Sequence, residues 1–563
     1  HNHFWFLLTK TNGVEKMLTN TPQLEIEGSW TQILGPKFMK ILGKSILWPY
    51  LLQCRWFGGK SRQIYSVTVK EVIRSEKHEG SFAMAVLNVH YTSGNPESYF
   101  LPLSYTEDSG MLNNYPKSVI CKVSVNGKEG FLYDAAYNPG FHRFLLNLIA
   151  NKKKIKTEQG ELAGTSSQKF KTLLQSKGLE LSSHVLKAEQ SNTAIIYDDV
   201  YFLKILRKLE EGVNPDREMI RYLTEQKKFA IVPAFAGFIE YRPLKSEPID
   251  ICLLQAYVPN QGDAWTYTLE QVKSFFELVL SKTGELETIP KQEETAKANS
   301  AGASDLIDGF YLELVKLLGQ RTGEMHLSLA SDSENPDFKP ESFSTLYQRS
   351  LYQSMGSQAR SALRLLRENL AKLPTAAQGE AAAILGKEKE IFAQFAVILK
   401  TKFNAKKIRI HGDYHLGQAL FTGKDFVIMD FEGEPARPVS ERRLKRSALR
   451  DVAGMMRSFH YAAYAALFLS QSTRVDTDIS GLESAADLWS SKVAEVFVKS
   501  YFETVGQADF LPKEQKDLEL LLQVYLLNKA IYELGYELNN RPDWVLIPLR
   551  GIKRVLEGLG KQE

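Results

Sequence analysis

Hydrophobic periodicity changes once along these 563 residues, and that change decides the class of fold. Up to Val258 the apolar residues cluster in short alternating runs separated by turn signals, with a few helical stretches between them. After Pro259 they recur mainly at helical spacing. A strand-rich part followed by a helix-rich part implies an α+β chain with segregated elements. The length exceeds one ordinary core, and a 44% apolar content is ample to fill two or three.

The β pattern is plainest between Ile64 and Ala135, in IYSVTVKEVI, FAMAVLNVHY, SYFLPLSY and VSVNGKEGFLYDA, whose Asn126-Gly127 pair predicts a hairpin turn. GFHRFLLNLIANKK then has helical spacing. From Leu181 short strands return, ending in AIIYDD and VYFLKIL around an Asp198-Asp199 turn. NPDREMIRYLTEQ, from Asn214 to Gln226, opens with Pro and Asp as a helix start does, and ICLLQAYV reads as a buried strand. Two polar tracts, Thr288 to Asp305 and Ala330 to Ser342, are expected not to pack. No period repeats. The expected division is a leader or remnant strand over 1–25, an amino-terminal cap over 26–150, a second β-rich lobe over 151–258 and a helical lobe over 259–563.

Charge excludes some classes of partner. The 70 basic and 66 acidic residues are interspersed and leave a net +4, which creates no field for nucleic acid or an anionic membrane. Three distant cysteines, Cys54, Cys121 and Cys252, form neither a disulfide framework nor a spaced zinc site, so a reducing compartment, the cytoplasm, is expected. YAAYAALFL, Tyr461 to Leu469, is too short to span a bilayer and reads as a buried helix.

Chemistry concentrates in IRIHGDYHLGQALF, Ile408 to Phe421, and in VIMDFE just after it. Phosphoryl transfer from a nucleotide needs a group to orient the acceptor hydroxyl, oxygen ligands for magnesium and a cation on the phosphates. Asp413 fits the first role. Gln418, five residues later, and Asp430, after a short apolar strand, fit the second, with FTGKDF as the hairpin between them. Lys204 in VYFLKIL and Glu218 in the following helix fit the third. Ser191, Asn192 and Thr193 of EQSNTA offer hydroxyls and amides to phosphates at a turn without glycine, and Gln255 to Tyr257 would meet the adenine edge. His411 and His415 have a zinc-pair separation, but Gly412 disfavours a helix and no third ligand is evident, so no zinc is assigned.

The order Asp-x4-amide, apolar strand, Asp resembles the catalytic core of the aminoglycoside phosphotransferase group of kinases, in which the amide is usually Asn. The blocks RWFGGKSR, EQSNTA, LRKLEEGVNPDRE, LGQRTGEMHLSLA, HGDYHLGQ, DFEGEP, ERRLKRSALRDVAGMMRSFHYAA and YELGYELNNRPDWVLIPLRGI are similar to the maltokinase family, nearly end to end. That resemblance implies a bilobal protein-kinase-like fold with a β-rich cap. It also implies ATP and Mg2+ as cofactors and maltose as the acceptor, phosphorylated at its anomeric hydroxyl. Asp451 would brace the catalytic loop. Lys529, Tyr532 and Tyr536, at i, i+3 and i+7 of one helix, would bind the disaccharide, although spacing alone reads both tyrosines as core. Two positions depart from the family: His460 stands where Asp is usual and Ala448 where Pro is. The opening HFWFLLTK resembles the last strand of the β domain of trehalose synthases, which implies a fused or associated trehalose synthase. The rival readings are a related kinase with another hydroxylated acceptor, such as an aminoglycoside or choline, and a silent sugar-binding module. A cationic acceptor would need a dense acidic face, whereas the last helix is mixed.

Overall fold

A computed structural model describes residues 23–74, 82–168, 170, 180–186, 191–283, 305–471 and 480–559. The expected leader strand and the tract from Thr288 lie almost wholly outside those residues. The chain divides into two compact units, His1–Arg221 with Ala234–Tyr257, and Tyr222–Pro233 with Val258–Glu563.

The amino-terminal unit holds two seven-stranded sheets. The first contains β1 (Leu24–Ile26), β2 (Ile64–Arg74), β3 (Ala83–Tyr91), β4 (Glu97–Thr106), β5 (Val119–Val125) and β6 (Lys128–Asp134), in the order β1-β5-β6-β4-β3-β2. Asn126 and Gly127 turn β5 into β6 with φ of 50° and 80°, the left-handed pair a two-residue hairpin requires. The second sheet contains β7 (Lys154–Lys156), β8 (Gly160–Ser166), β9 (Ser183–Val185), β10 (Thr193–Tyr197) and β11 (Tyr201–Ile205), then β13 (Phe235–Pro243) and β14 (Ile249–Ala256). Its order is β7-β8-β13-β14-β11-β10-β9. The short β12 (Lys208–Leu209) continues from β11 and pairs with β4, so one stretch of chain serves both sheets.

Both faces of the first sheet are covered, which is why β3 reads as an almost unbroken apolar run. Ala83, Ala85, Leu87 and Val89 pack with Leu42, Leu47, Leu51 and Phe57. Met84 and Val86, on the opposite face, share a core with Phe141 and Leu145 of the helix Pro139–Ala150 and with Leu203, Ile205 and Ile251. That second core joins residues on either side of position 150.

The carboxy-terminal unit is mainly helical, with Ala264–Thr283, Gly309–Ala330, Thr345–Asn369, Leu449–Gln471, Ser480–Val505, Gln515–Asn540 and Leu546–Leu559 as its long helices. A hairpin, Ala419–Phe421 with Phe426–Ile428, follows the HGD loop as expected. Gly454 lets the helix Leu449–Gln471 approach that loop, because a Cβ there would meet the Tyr414 carbonyl oxygen at 2.5 Å. YAAYAALFL lies within this helix. Among the described residues no helix is long and apolar enough to cross a membrane.

One expectation fails. The polar tract Ala330 to Ser342 is packed, not loose: Phe338 is 3% exposed and stacks on Tyr222 with ring centroids 3.5 Å apart. Asp332 accepts backbone hydrogen bonds from Glu334 and Asn335, and Lys445 donates to the Pro336 carbonyl. A single aromatic and an Asx-type turn outweigh the polar composition.

Candidate active site

In the amino-terminal unit Lys204 is buried on β11, and its Nζ lies 2.9 Å from Asp216 Oδ2. Asp216 stands in the first turn of the helix Pro215–Arg221, with its backbone N–H capped by Asn214 Oδ1 at 2.8 Å. Sequence reasoning chose Glu218 for the lysine and missed Asp216. The cue was the NPD start, where a capping Asn places the acid two residues later inside the first turn. Glu218, half-buried, follows half a turn on.

Ser191 is exposed at the start of β10, while Thr193 is 6% exposed and its Oγ1 accepts from Arg207 Nε at 2.8 Å. Asn192 Oδ1 accepts from the Arg207 backbone N–H at 3.3 Å. Both side chains therefore face Arg207, and Ser191 is the hydroxyl left towards solvent. Gln255 is buried on β14, and the backbone N–H of Tyr257 donates to the Val200 carbonyl at 2.9 Å.

The second group of residues lies in the carboxy-terminal unit. His411 N–H and Gly412 N–H donate to the two oxygens of Asp451, at 2.7 and 3.0 Å, and Asp451 Oδ2 also meets His326 Nε2 at 3.1 Å. Burial opposes the Asp451 charge, but His326 and these amides hold its pKa below the usual carboxylate value. His411 Nε2 bonds the Met429 carbonyl at 2.9 Å, which ties the loop to the strand carrying Asp430. His415 Nδ1 accepts from Gly417 N–H, and burial lowers the His415 pKa. Both histidines thus have structural partners.

Gln418 Nε2 donates to Asp430 Oδ2 at 3.0 Å, so the two expected metal ligands meet. Asp430 takes φ +67°, an uncommon backbone state for a residue other than glycine and one that collects at functional positions. Glu432, which the sequence reading passed over, presents a carboxylate oxygen within 4.8 Å of that of Asp430. The donors gathered here are amide and carboxylate oxygens, the set a hard cation such as magnesium prefers.

Asp413 Oδ1 lies 3.1 Å from Lys529 Nζ, and that ammonium stands 4.8 Å from the Tyr532 ring centroid. Burial disfavours the charge on Lys529, yet Asp413, Glu434 and Glu533 raise its pKa. Tyr536 is 47% exposed and Tyr532 half-buried, so neither is a core residue. The acids around them are already matched. Glu533 accepts two bonds from Arg457, at 2.9 and 2.7 Å, and Glu537 two from Arg541, at 3.0 and 2.8 Å. Glu434 is gripped by Arg450 at 2.6 Å and Arg437 at 2.7 Å; burial opposes its charge, but Arg450, Lys529 and Arg437 hold its pKa at about 2. His460, the departure from Asp, takes a bond from Arg457 on Nδ1 at 3.2 Å, and burial together with Arg457 keeps it neutral.

Residues 50–137 match the maltokinase N-terminal cap domain. A glucosamine kinase of Mycolicibacterium smegmatis is 22% identical over 376 residues, 66% of this chain and 79% of that protein. One of Streptacidiphilus jiangxiensis is 22% identical over 305 residues, 54% of this chain and 57% of that protein. Among solved structures, a glucosamine kinase in complex with glucosamine, ADP and inorganic phosphate has a TM-score of 0.56 at 18% identity, covering 90% of this chain and 99% of the other. A second crystal form of glucosamine kinase reaches 0.58 at 18% identity, with 89% and 96% covered. The chain thus carries a segment matching the maltokinase N-terminal cap domain, and it shares the α+β fold of these glucosamine kinase structures.

Proposed function

We propose that this protein transfers the γ-phosphoryl group of ATP to the anomeric hydroxyl of maltose, giving maltose 1-phosphate and ADP. The acceptor class rests on one observation: four acids, Asp413 and three on or beside the helix bearing Tyr532 and Tyr536, are each paired with a cation. Asp413 has Lys529, Glu434 has Arg450 and Arg437, Glu533 has Arg457, and Glu537 has Arg541. An ammonium-bearing acceptor would have to compete with the cation already paired to each of these acids. A neutral sugar gains hydrogen bonds from the same groups and stacks its C–H faces on Tyr532 and Tyr536.

In this reading Lys529 holds one oxygen of Asp413, and the other takes the proton of the acceptor hydroxyl as that oxygen bonds to the γ-phosphorus and the bridge to ADP breaks. Gln418 and Asp430, with Glu432 beside them, would hold magnesium, which supplies charge neutralisation on the phosphates when bound. Lys204, with Asp216 and Glu218 on the following helix, anchors the phosphates; Ser191 and the amides of Asn192 and Thr193 cover them, and Gln255 to Tyr257 meets the base. A cytoplasmic enzyme supplied with maltose by a fused or associated trehalose synthase fits this activity.

Glucosamine is the competing acceptor, favoured by the names of the relatives. Phosphorus NMR of reactions with ATP, Mg2+ and either sugar separates the two. An anomeric phosphate of maltose formed at a higher kcat/KM than glucosamine phosphate is expected. The opposite order overturns the proposal.

A further inference from the structure

We propose that Arg207 is a positioning residue through which the cap fixes the phosphate-facing end of the amino-terminal unit; this rests on reading that unit as the ATP-binding lobe. Arg207 comes three residues after Lys204, where the chain leaves β11 for β12. Its side chain is fully buried. One guanidinium makes three directed bonds: Nη2 to Asp134 Oδ2 at 2.7 Å, Nε to Thr193 Oγ1 at 2.8 Å and Nη1 to the Phe100 carbonyl at 3.4 Å. Asp134 and Phe100 belong to the first sheet, Thr193 to the second. Its backbone is shared in the same way, since Phe100 N–H donates to the Arg207 carbonyl at 2.8 Å while the Arg207 N–H donates to Asn192 Oδ1.

The WFGGK segment completes the arrangement. The Trp56 ring lies 4.7 Å from the guanidinium carbon, and Phe57 packs on Tyr99 of β4 with centroids 5.0 Å apart. Asp134 also takes a bond from Tyr50 at 3.4 Å and caps Ala136 N–H at 3.0 Å, so the carboxylate is itself held in place. A fully buried ion pair is a poor way to gain stability, because desolvation offsets most of the attraction. What the planar, forked guanidinium provides is a fixed angle between its partners, which a flexible ammonium cannot reproduce. Movement of the cap at Asp134 or Trp56 is thereby passed to Thr193, Asn192 and the end of the Lys204 strand.

The test uses two cap residues outside the nucleotide-binding set. MgATP affinity is measured by titration calorimetry without acceptor, KM for ATP and for maltose by steady-state kinetics, and Tm by calorimetry, on wild type, Trp56→Leu, Trp56→Phe and Asp134→Asn. Trp56→Leu and Asp134→Asn are expected to weaken MgATP by about 2- to 30-fold, the range of a coupling carried through packed neighbours. Maltose KM should stay within about twofold. Trp56→Phe, which keeps a ring over the guanidinium, should restore most of the affinity. If Asp134→Asn does not fold, the Trp56 pair decides. Folded variants that bind MgATP as wild type does, with only Tm lowered, overturn the proposal. A wild-type protein that binds no MgATP overturns the ATP-lobe reading and this proposal together.

Discussion

Lys204 and Asp216 meet at 2.9 Å with side chains 8% and 1% exposed, whereas Lys529 and Asp413 meet at 3.1 Å with side chains 19% and 20% exposed. The two pairs share their chemistry and differ in access to water. A buried pair cannot open without stranding a charge, so it keeps a cation fixed at one place on the sheet. A pair that water reaches can exchange partners at modest cost, which is what a group that must meet an incoming hydroxyl requires. The difference supports the proposed roles of Lys204 as an anchor and Asp413 as the group that meets the acceptor.

The strongest way to break this assignment is Asp413→Asn. The amide keeps the shape and a bond to Lys529 but cannot take a proton, so turnover is expected to fall by about two to four decades. Circular dichroism and Tm should stay near wild type. Near-normal turnover would remove Asp413 from the reaction.

Next in size is a matched pair of truncations, Lys204→Met and Lys529→Met. Losing Lys204 leaves Asp216 buried without that partner and should cost about 3–5 kcal/mol in urea unfolding, along with most of the affinity for MgATP. Losing Lys529 leaves an acid that water can hydrate, so stability should fall less while kcat/KM for maltose falls more than the affinity for ATP. Equal losses of stability would show that exposure does not separate the pairs.

Much of this was legible in the sequence because local signals and tertiary needs agreed. Asn126-Gly127 and Asp198-Asp199 both take the left-handed backbone that their turns require, and Gln418 and Asp430, picked out together by their spacing from Asp413, are hydrogen-bonded to each other. What stayed hidden is what packing decides. GELAGTS forms β8, yet Gly164 is there because a Cβ would meet the Leu148 carbonyl oxygen at 2.1 Å, and a small residue kept for close approach erases the strand pattern. Asp216 was passed over beside Glu218 because sequence spacing does not show that an acid half a turn earlier also reaches a lysine on another strand. Glu537 with Arg541 and Glu434 with Arg437 are i,i+4 and i,i+3 pairs that spacing could have found, but the matching of Glu533 to Arg457 and of Glu434 to Arg450 carries no local signature, and the proposed neutral acceptor draws on both kinds.

The pH dependence sharpens the same contrast. Glu434 is 5% exposed, and Arg450, Lys529 and Arg437 hold its pKa at about 2 against an ordinary 4.5. A folded pKa below the unfolded one adds stability above pH 4.5 that is lost as the pH falls from there towards 2. The amount is on the order of 3 kcal/mol. Urea unfolding across that window should show a slope that Glu434→Gln flattens. An unchanged slope would mean that the carboxylate is not held by its arginines.

The smallest effect expected is the most informative about the acceptor. Tyr536 is 47% exposed, so Tyr536→Ala should change stability by no more than about 0.5 kcal/mol, as surface truncations do. If its ring stacks on the sugar, kcat/KM for maltose should nonetheless fall by about 1–3 kcal/mol, with KM for ATP unmoved. Tyr532→Ala should lose as much activity and somewhat more stability, because its half-buried ring lies 4.8 Å from the Lys529 ammonium and helps seat it against Asp413. Glucose spans only part of such a platform, so both variants should weaken maltose more than glucose in competition. Were Tyr532→Ala to lower Tm while the folded fraction kept its full kcat/KM, the ring would serve Lys529 alone. The disaccharide would then be read by other residues of the carboxy-terminal unit.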